Sequence, residues 1–151
     1  MEAKVMKIHK ALPFRNIQAY SSHTLLLATA TVRAGFPSPA TDYGAEPIDL
    51  NRYLSDNPTA TFLVEVTGDS MIGAHVVPGS LAVVDKAVAA KSGHMVLAYV
   101  WGDFTVKWLD IRQDGAYLVP DNPNYQEIKA PDDCIIWGVV VGLAHRLSRR
   151  S

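Results

Sequence analysis

A chain of 151 residues is the size of one domain, and a hydrophobic content of 48% excludes wholesale disorder. A formal net charge of −1 excludes a molecule that holds nucleic acid through bulk positive charge. The charge is uneven: residues 1–34 carry Lys4, Lys7, Lys10, Arg15 and Arg33 against Glu2, a balance of +4 that leaves −5 for the rest.

Residues 1–34 have no clear period and read as a basic arm. Such an arm either touches DNA or an acidic partner or is simply solvated. Leu25–Val32 has the apolar character of a signal-peptide core, with the small Ala34 after it. The run is short, however, and most of the basic residues lie ten or more positions upstream. From Gly35 to Pro47, the prolines at 37, 39 and 47 exclude a helix and favour an extended linker. Asp49–Leu54 is predicted to form one or two helical turns, ending before Asn57-Pro58.

Beyond that point the pattern is one of strands. Thr61–Val66 is rich in β-formers and runs into a turn at Gly68. Leu81–Val84 follows the turn pair Pro78-Gly79. Met95–Trp101 and Phe104–Ile111 flank Gly102-Asp103, which is predicted to be a two-residue type II′ hairpin loop. Tyr117–Val119 precedes a turn cluster containing Pro120, Asn122 and Pro123. Ile135–Leu143 is a continuous apolar run suited to a buried strand. Five or six short strands at this spacing predict a mainly β domain. The Arg146–Arg150 tail reads as a solvated terminus.

Cys134 is the single cysteine, which excludes an intrachain disulfide and fits a reducing cytoplasm. It opens an apolar run, where a thiol behaves as a small core hydrophobe. Cys134–Ala144, the longest apolar stretch, falls short of the roughly 20 residues that a membrane-spanning helix needs. The five histidines and one cysteine show no ligand spacing, so no metal is expected. No cofactor motif is present.

Two residues carry chemistry. Ser70 lies on the turn Gly68-Asp69-Ser70-Met71, a common turn sequence in its own right. Lys107 lies in Phe104-Thr105-Val106-Lys107-Trp108. Most strand lysines point at water, but alternation places Thr105, Lys107 and Leu109 on one face of an otherwise apolar strand. An amine held there is desolvated, which favours its neutral form and lets it act as a base near neutral pH. Other serine-enzyme patterns are missing. No Ser-x-x-Lys and no Gly-x-Ser-x-Gly occurs. His75 and His94 keep a Ser-His-Asp triad open by composition, but their surroundings mark them as surface or loop residues.

Ala34-Gly35, the Gly68–Met71 turn and the Thr-Val-Lys107 strand together resemble the LexA/UmuD self-cleaving peptidases. The resemblance covers nearly the whole chain. Gly35-Phe36-Pro37-Ser38-Pro39-Ala40, Asp42-Tyr43, Ile48–Asn51 and Gly138–Val140 point to the UmuD branch. The resemblance implies a compact fold like the LexA C-terminal domain, made of short, strongly bent strands, with an extended N-terminal arm. It implies an arm (1–34) removed by self-cleavage, a Pro-rich linker (35–47) and a peptidase and dimerisation domain (48–151). Ser70 would be the nucleophile and Lys107 the general base. The cleaved bond would be Ala34-Gly35, with an oxyanion hole from the backbone amides of Asp69 and Ser70.

The implied partners are a second copy of the chain, the RecA–single-stranded DNA filament and a UmuC-type Y-family translesion polymerase, acting in the cytoplasmic SOS response. No direct sequence-specific DNA binding is expected. LexA-type repressors place a helix-turn-helix domain before the cleavage site, and residues 1–34 contain no such pattern. UmuD proteins commonly have cysteine before the cleaved glycine; Ala34 is the repressor-like residue. Two other readings fit less well. One is a binding module with a vestigial dyad, against which the intact Ser70, Lys107 and Ala34-Gly35 all stand. The other is a signal-peptidase-like enzyme, which normally needs a membrane anchor.

Overall fold

Two antiparallel sheets organise the chain in the computed structural model, which describes residues 25–28, 34–35 and 44–147. The smaller sheet pairs β1 (Leu25–Ala28) with β2 (Ala45–Ile48), Leu25 opposite Ile48 and Ala28 opposite Ala45. The apolar run with signal-peptide character is thus in part a strand, and the end of the Pro-rich segment is its partner. Among the described residues β2 pairs only with β1, and on such an edge strand Pro47 is tolerated. Ala34 and Gly35 form an exposed bend in the connection between the two strands. The basic residues of the arm, Pro37, Pro39 and most of the arginine tail lie outside the described residues, as do Phe36–Tyr43 of the family motif.

Helix α1 (Leu50–Leu54) begins where expected because the Asp49 carboxylate accepts a hydrogen bond from the Asn51 amide at 2.9 Å. The larger sheet follows: β3 (Thr61–Glu65), β4 (Leu81–Asp85), β5 (Met95–Val100), β6 (Asp103–Arg112), β7 (Gly115–Val119), β8 (Ile128–Lys129) and β9 (Ile135–Ala144). Their spatial order is β3-β4-β9-β5-β6-β7-β8, antiparallel throughout. The mainly β expectation therefore holds.

The two-residue hairpin loop sits one position earlier than predicted. Val100 pairs with Asp103, so Trp101 and Gly102 form the turn, with φ of 51° and 82°. Positive φ at both central residues makes it a type I′ turn, whose twist matches that of the flanking strands. The shift puts tryptophan at a positive φ that non-glycine residues rarely adopt, so the type II′ loop expected at Gly102-Asp103 is not formed.

Alternation along β5 and β6 sorts the core into two clusters. Met95, Leu97 and Val106 pack with Met71, Val76, Ala82, Val84 and Trp137. Val96, Ala98, Val100 and Leu109 pack with Leu118, Cys134, Ile136 and Val139. Strand β9 serves both by bulging twice. Trp137 is skipped in the pairing with β5 and Val141 in the pairing with β4. Bulges of this kind bend a strand and increase its local twist.

Candidate active site

The turn after β3 is pinned from below. Met71 is buried in the first core cluster at 2% exposure, a placement that stabilises by about 1.5–3 kcal/mol. Its carbonyl accepts hydrogen bonds from the amides of Ala74 and Val76. The neighbouring Ser70 is thereby held half-buried at the sheet surface.

Strand β6 brings Lys107 to this turn. The amine Nζ lies 2.8 Å from Ser70 Oγ, 2.7 Å from Thr105 Oγ1 and 3.1 Å from the Val106 carbonyl oxygen. Lys107 is only 8% exposed, and burial pushes its amine below the ordinary lysine range. As an ammonium it donates to all three oxygens. As a neutral amine it has two hydrogens, for Thr105 and Val106, and one lone pair, for the Ser70 hydroxyl, which then becomes the donor. The arrangement can therefore take a proton from Ser70 and return it.

Thr105 was placed on the Lys107 face by alternation, but its role as a partner of the amine was not foreseen. A second group also escaped the sequence reading. The segment 121–125, read only as a turn cluster, crosses the Ser70 turn. The Asp121 amide donates to the Ser70 carbonyl at 2.8 Å, and the Gly73 amide donates to the Asp121 carbonyl at 2.8 Å. Asn122 Nδ2 donates to the Asp69 carbonyl at 3.0 Å, and the Tyr125 hydroxyl makes a short bond of 2.5 Å to Asp69 Oδ1. The Asp69 carboxylate in turn pushes the exposed Tyr125 hydroxyl above its ordinary pKa.

The other sequence candidates lie elsewhere. His75 is exposed in a left-handed conformation, and His94 Nδ1 accepts a 3.2 Å bond from the Lys91 amide. Cys134 is a buried free thiol whose pKa burial pushes up, in keeping with a core role. Among the described residues no group of three or more His, Cys, Asp or Glu is placed to hold a metal. No described helix is long and apolar enough to cross a membrane. Two open depressions of about 420 and 400 Å³ flank Trp108, and neither is lined by Ser70 or Lys107. Ala34 and Gly35 are exposed, and a Cβ at Gly35 would meet nothing within 4 Å, so this bond is not packed against the sheet.

Residues 26–141 match the family described as Peptidase S24-like. The chain is 44% identical to protein ImpA of Salmonella typhimurium over 115 residues, covering 76% of this chain and 79% of that one. It is 34% identical to protein MucA of Escherichia coli over 130 residues, covering 84% and 88% of the two chains. A LexA repressor from Alcanivorax borkumensis is 36% identical over 126 residues, covering 83% of this chain and 61% of the repressor.

Proposed function

Because this chain belongs to the Peptidase S24-like family, as a UmuD-like member, we propose that it is a serine peptidase that cuts its own Ala34-Gly35 bond, with Ser70 as nucleophile and Lys107 as general base. The observation that carries this reading is the 2.8 Å contact between Ser70 Oγ and a buried Lys107 amine.

The steps balance as follows. Neutral Lys107 takes the Ser70 proton as Oγ bonds to the Ala34 carbonyl carbon. The negative charge moves to the carbonyl oxygen, which the backbone amides of Asp69 and Ser70 stabilise. Such donors contribute about 3–4 kcal/mol each in acyl transfer. Collapse breaks the C–N bond, and Lys107 protonates the departing Gly35 nitrogen. Water, deprotonated by Lys107, then releases Ser70 and leaves a carboxylate on Ala34. No metal or cofactor enters any step.

The exposed position of Ala34-Gly35 supports a second element of the proposal. The bond must move to Ser70 before it is cut, so the cutting pose is a minor population that a partner enlarges. By the family resemblance that partner is the RecA–single-stranded DNA filament. Residues 1–34 are then the discarded arm, 35–47 the linker and 48–151 the peptidase and dimerisation domain. The processed dimer serves a UmuC-type translesion polymerase in the cytoplasm during the SOS response.

Intact-mass spectrometry after incubation with RecA, single-stranded DNA and a nucleotide triphosphate tests this. A product of residues 35–151 is expected from the wild type and from neither Ser70→Ala nor Lys107→Ala. An unchanged wild-type mass, with a filament active on another substrate, would overturn it and favour the non-catalytic binding module.

A further inference from the structure

The Ser70 turn and strand β6 lie in different parts of the sheet, yet their two side chains meet at hydrogen-bonding distance. Something must set that distance. The dyad contact itself is a poor candidate, because a serine hydroxyl and a lysine amine both end flexible bonds.

We propose that Asp121 is the positioning residue of this site, fixing the Ser70 turn to the strand that carries Lys107. The proposal rests on the peptidase reading above. Asp121 touches both parts. Its amide holds the Ser70 carbonyl and its carbonyl holds the Gly73 amide, so it grips the turn on either side of Met71. Its carboxylate Oδ2 accepts a 3.0 Å bond from Trp108 Nε1. Trp108 is the neighbour of Lys107 on β6 and pairs with Val119 of β7, two residues before Asp121. One residue therefore links nucleophile turn and base strand through three hydrogen bonds.

The local sequence is fitted to this grip. A Cβ on Gly73 would lie 2.3 Å from Asp121 Oδ1 and 2.8 Å from its carbonyl oxygen, so only glycine lets the two backbones meet. Asn122 and Tyr125 add tethers to Asp69, but neither reaches β6 in the described contacts. Asp121 alone spans the gap among the residues of this strap.

Trp108 needs one acceptor, which an amide oxygen supplies as well as a carboxylate. The conservative variant should therefore work where alanine does not. The test uses the full-length chain and follows partner-free self-cleavage at alkaline pH, together with the rate at which a fluorophosphonate labels Ser70. Label uptake reads assembly of the dyad without requiring delivery of Ala34-Gly35.

Asp121→Ala is expected to slow both rates by about 10- to 100-fold, the cost of a small misplacement of reacting groups. Asp121→Asn is expected to restore both to within about threefold of wild type, a difference of less than about 0.7 kcal/mol in barrier height. Trp108→Phe keeps the ring and removes only the N–H. It should slow labelling as well and add little in combination with Asp121→Ala. This second variant decides the matter if Asp121→Ala fails to fold.

Wild-type rates in both Asp121→Ala and Trp108→Phe would overturn the proposal. So would an Asp121→Asn variant as slow as the alanine. If the wild type neither cuts nor takes up label, the peptidase reading itself has failed; a wild type that does both while the variants match it sinks the positioning role alone.

Discussion

Replacing Thr105 with valine isolates the orientation of the Lys107 amine. The swap keeps the branched shape and deletes an oxygen 2.7 Å from Nζ. In the neutral amine, one hydrogen faces Val106 and the other faces Thr105, which leaves the lone pair for Ser70. Without Oγ1, the second hydrogen can turn toward Ser70 and the lone pair away from it. Losing a neutral hydrogen bond costs about 1 kcal/mol net, and leaving a buried N–H unsatisfied costs about 1–3 kcal/mol. Those values bound the loss in cutting rate at about 5- to 150-fold.

A second effect opposes the first. The ammonium loses more than the amine when an acceptor disappears, so the amine pKa falls further and more of it is neutral at pH 7. The two separate on the high-pH plateau, where the amine is neutral in both proteins and only orientation counts. Rates should be measured from pH 7 to 10.5 by the appearance of the 35–151 fragment. The expectation is a lower plateau reached at lower pH, with Thr105→Ser close to wild type. A plateau within twofold of wild type in Thr105→Val would refute the orientation argument.

Two further outcomes concern stability. Burial lowers the folded-state pKa of Lys107, so the unfolded chain binds the proton more tightly. The cost is full below the folded pKa and disappears as pH rises toward the unfolded value of about 10.4. Lys107→Met should therefore abolish cutting yet raise the thermal midpoint at neutral pH, by a margin that narrows as pH climbs through that window. A constant margin would mean that the charge is not the source. Trp101→Asn should stabilise the β5–β6 hairpin by about 0.5–1 kcal/mol, because asparagine tolerates the positive φ that tryptophan pays steric strain to adopt. A lower denaturation midpoint would show that the exposed indole makes contacts of greater worth.

Much of this molecule is legible in the sequence, for identifiable reasons. Strands β3, β4, β5, β6, β7 and β9 are bounded by glycine and proline turns and filled with β-formers, which are local signals. The β1–β2 hairpin was missed because Leu25–Leu27 has no alternation and Pro47 argues against a strand unless its edge position is known. Strand β8 is two residues long, too short to carry a pattern. Ser70 and Lys107 could be named because a turn serine and a strand lysine are visible as types, and a family resemblance joined them. Their contact at 2.8 Å was not visible, and neither was the amine's contact with Thr105. Asp121 was hidden altogether, since its part is played largely by backbone groups and by an indole thirteen positions away. Such contacts arise from how strands are ordered, and no local pattern encodes them.

That strand order has a consequence for timing. Strands β4 and β5 each pair with β9 and, among the described residues, not with each other. Ser70 follows β3 on one flank, and Lys107 lies in β6 on the other. A nascent chain that has not yet made residues 135–144 thus holds two ribbons with no shared ladder. The last-made strand of the described body is the zipper that aligns them. Before that strand is laid in, Asp121 links the Ser70 turn to the β6 ribbon through side-chain and loop hydrogen bonds alone; continuous backbone pairing from β3 to β8 comes only with residues 135–144.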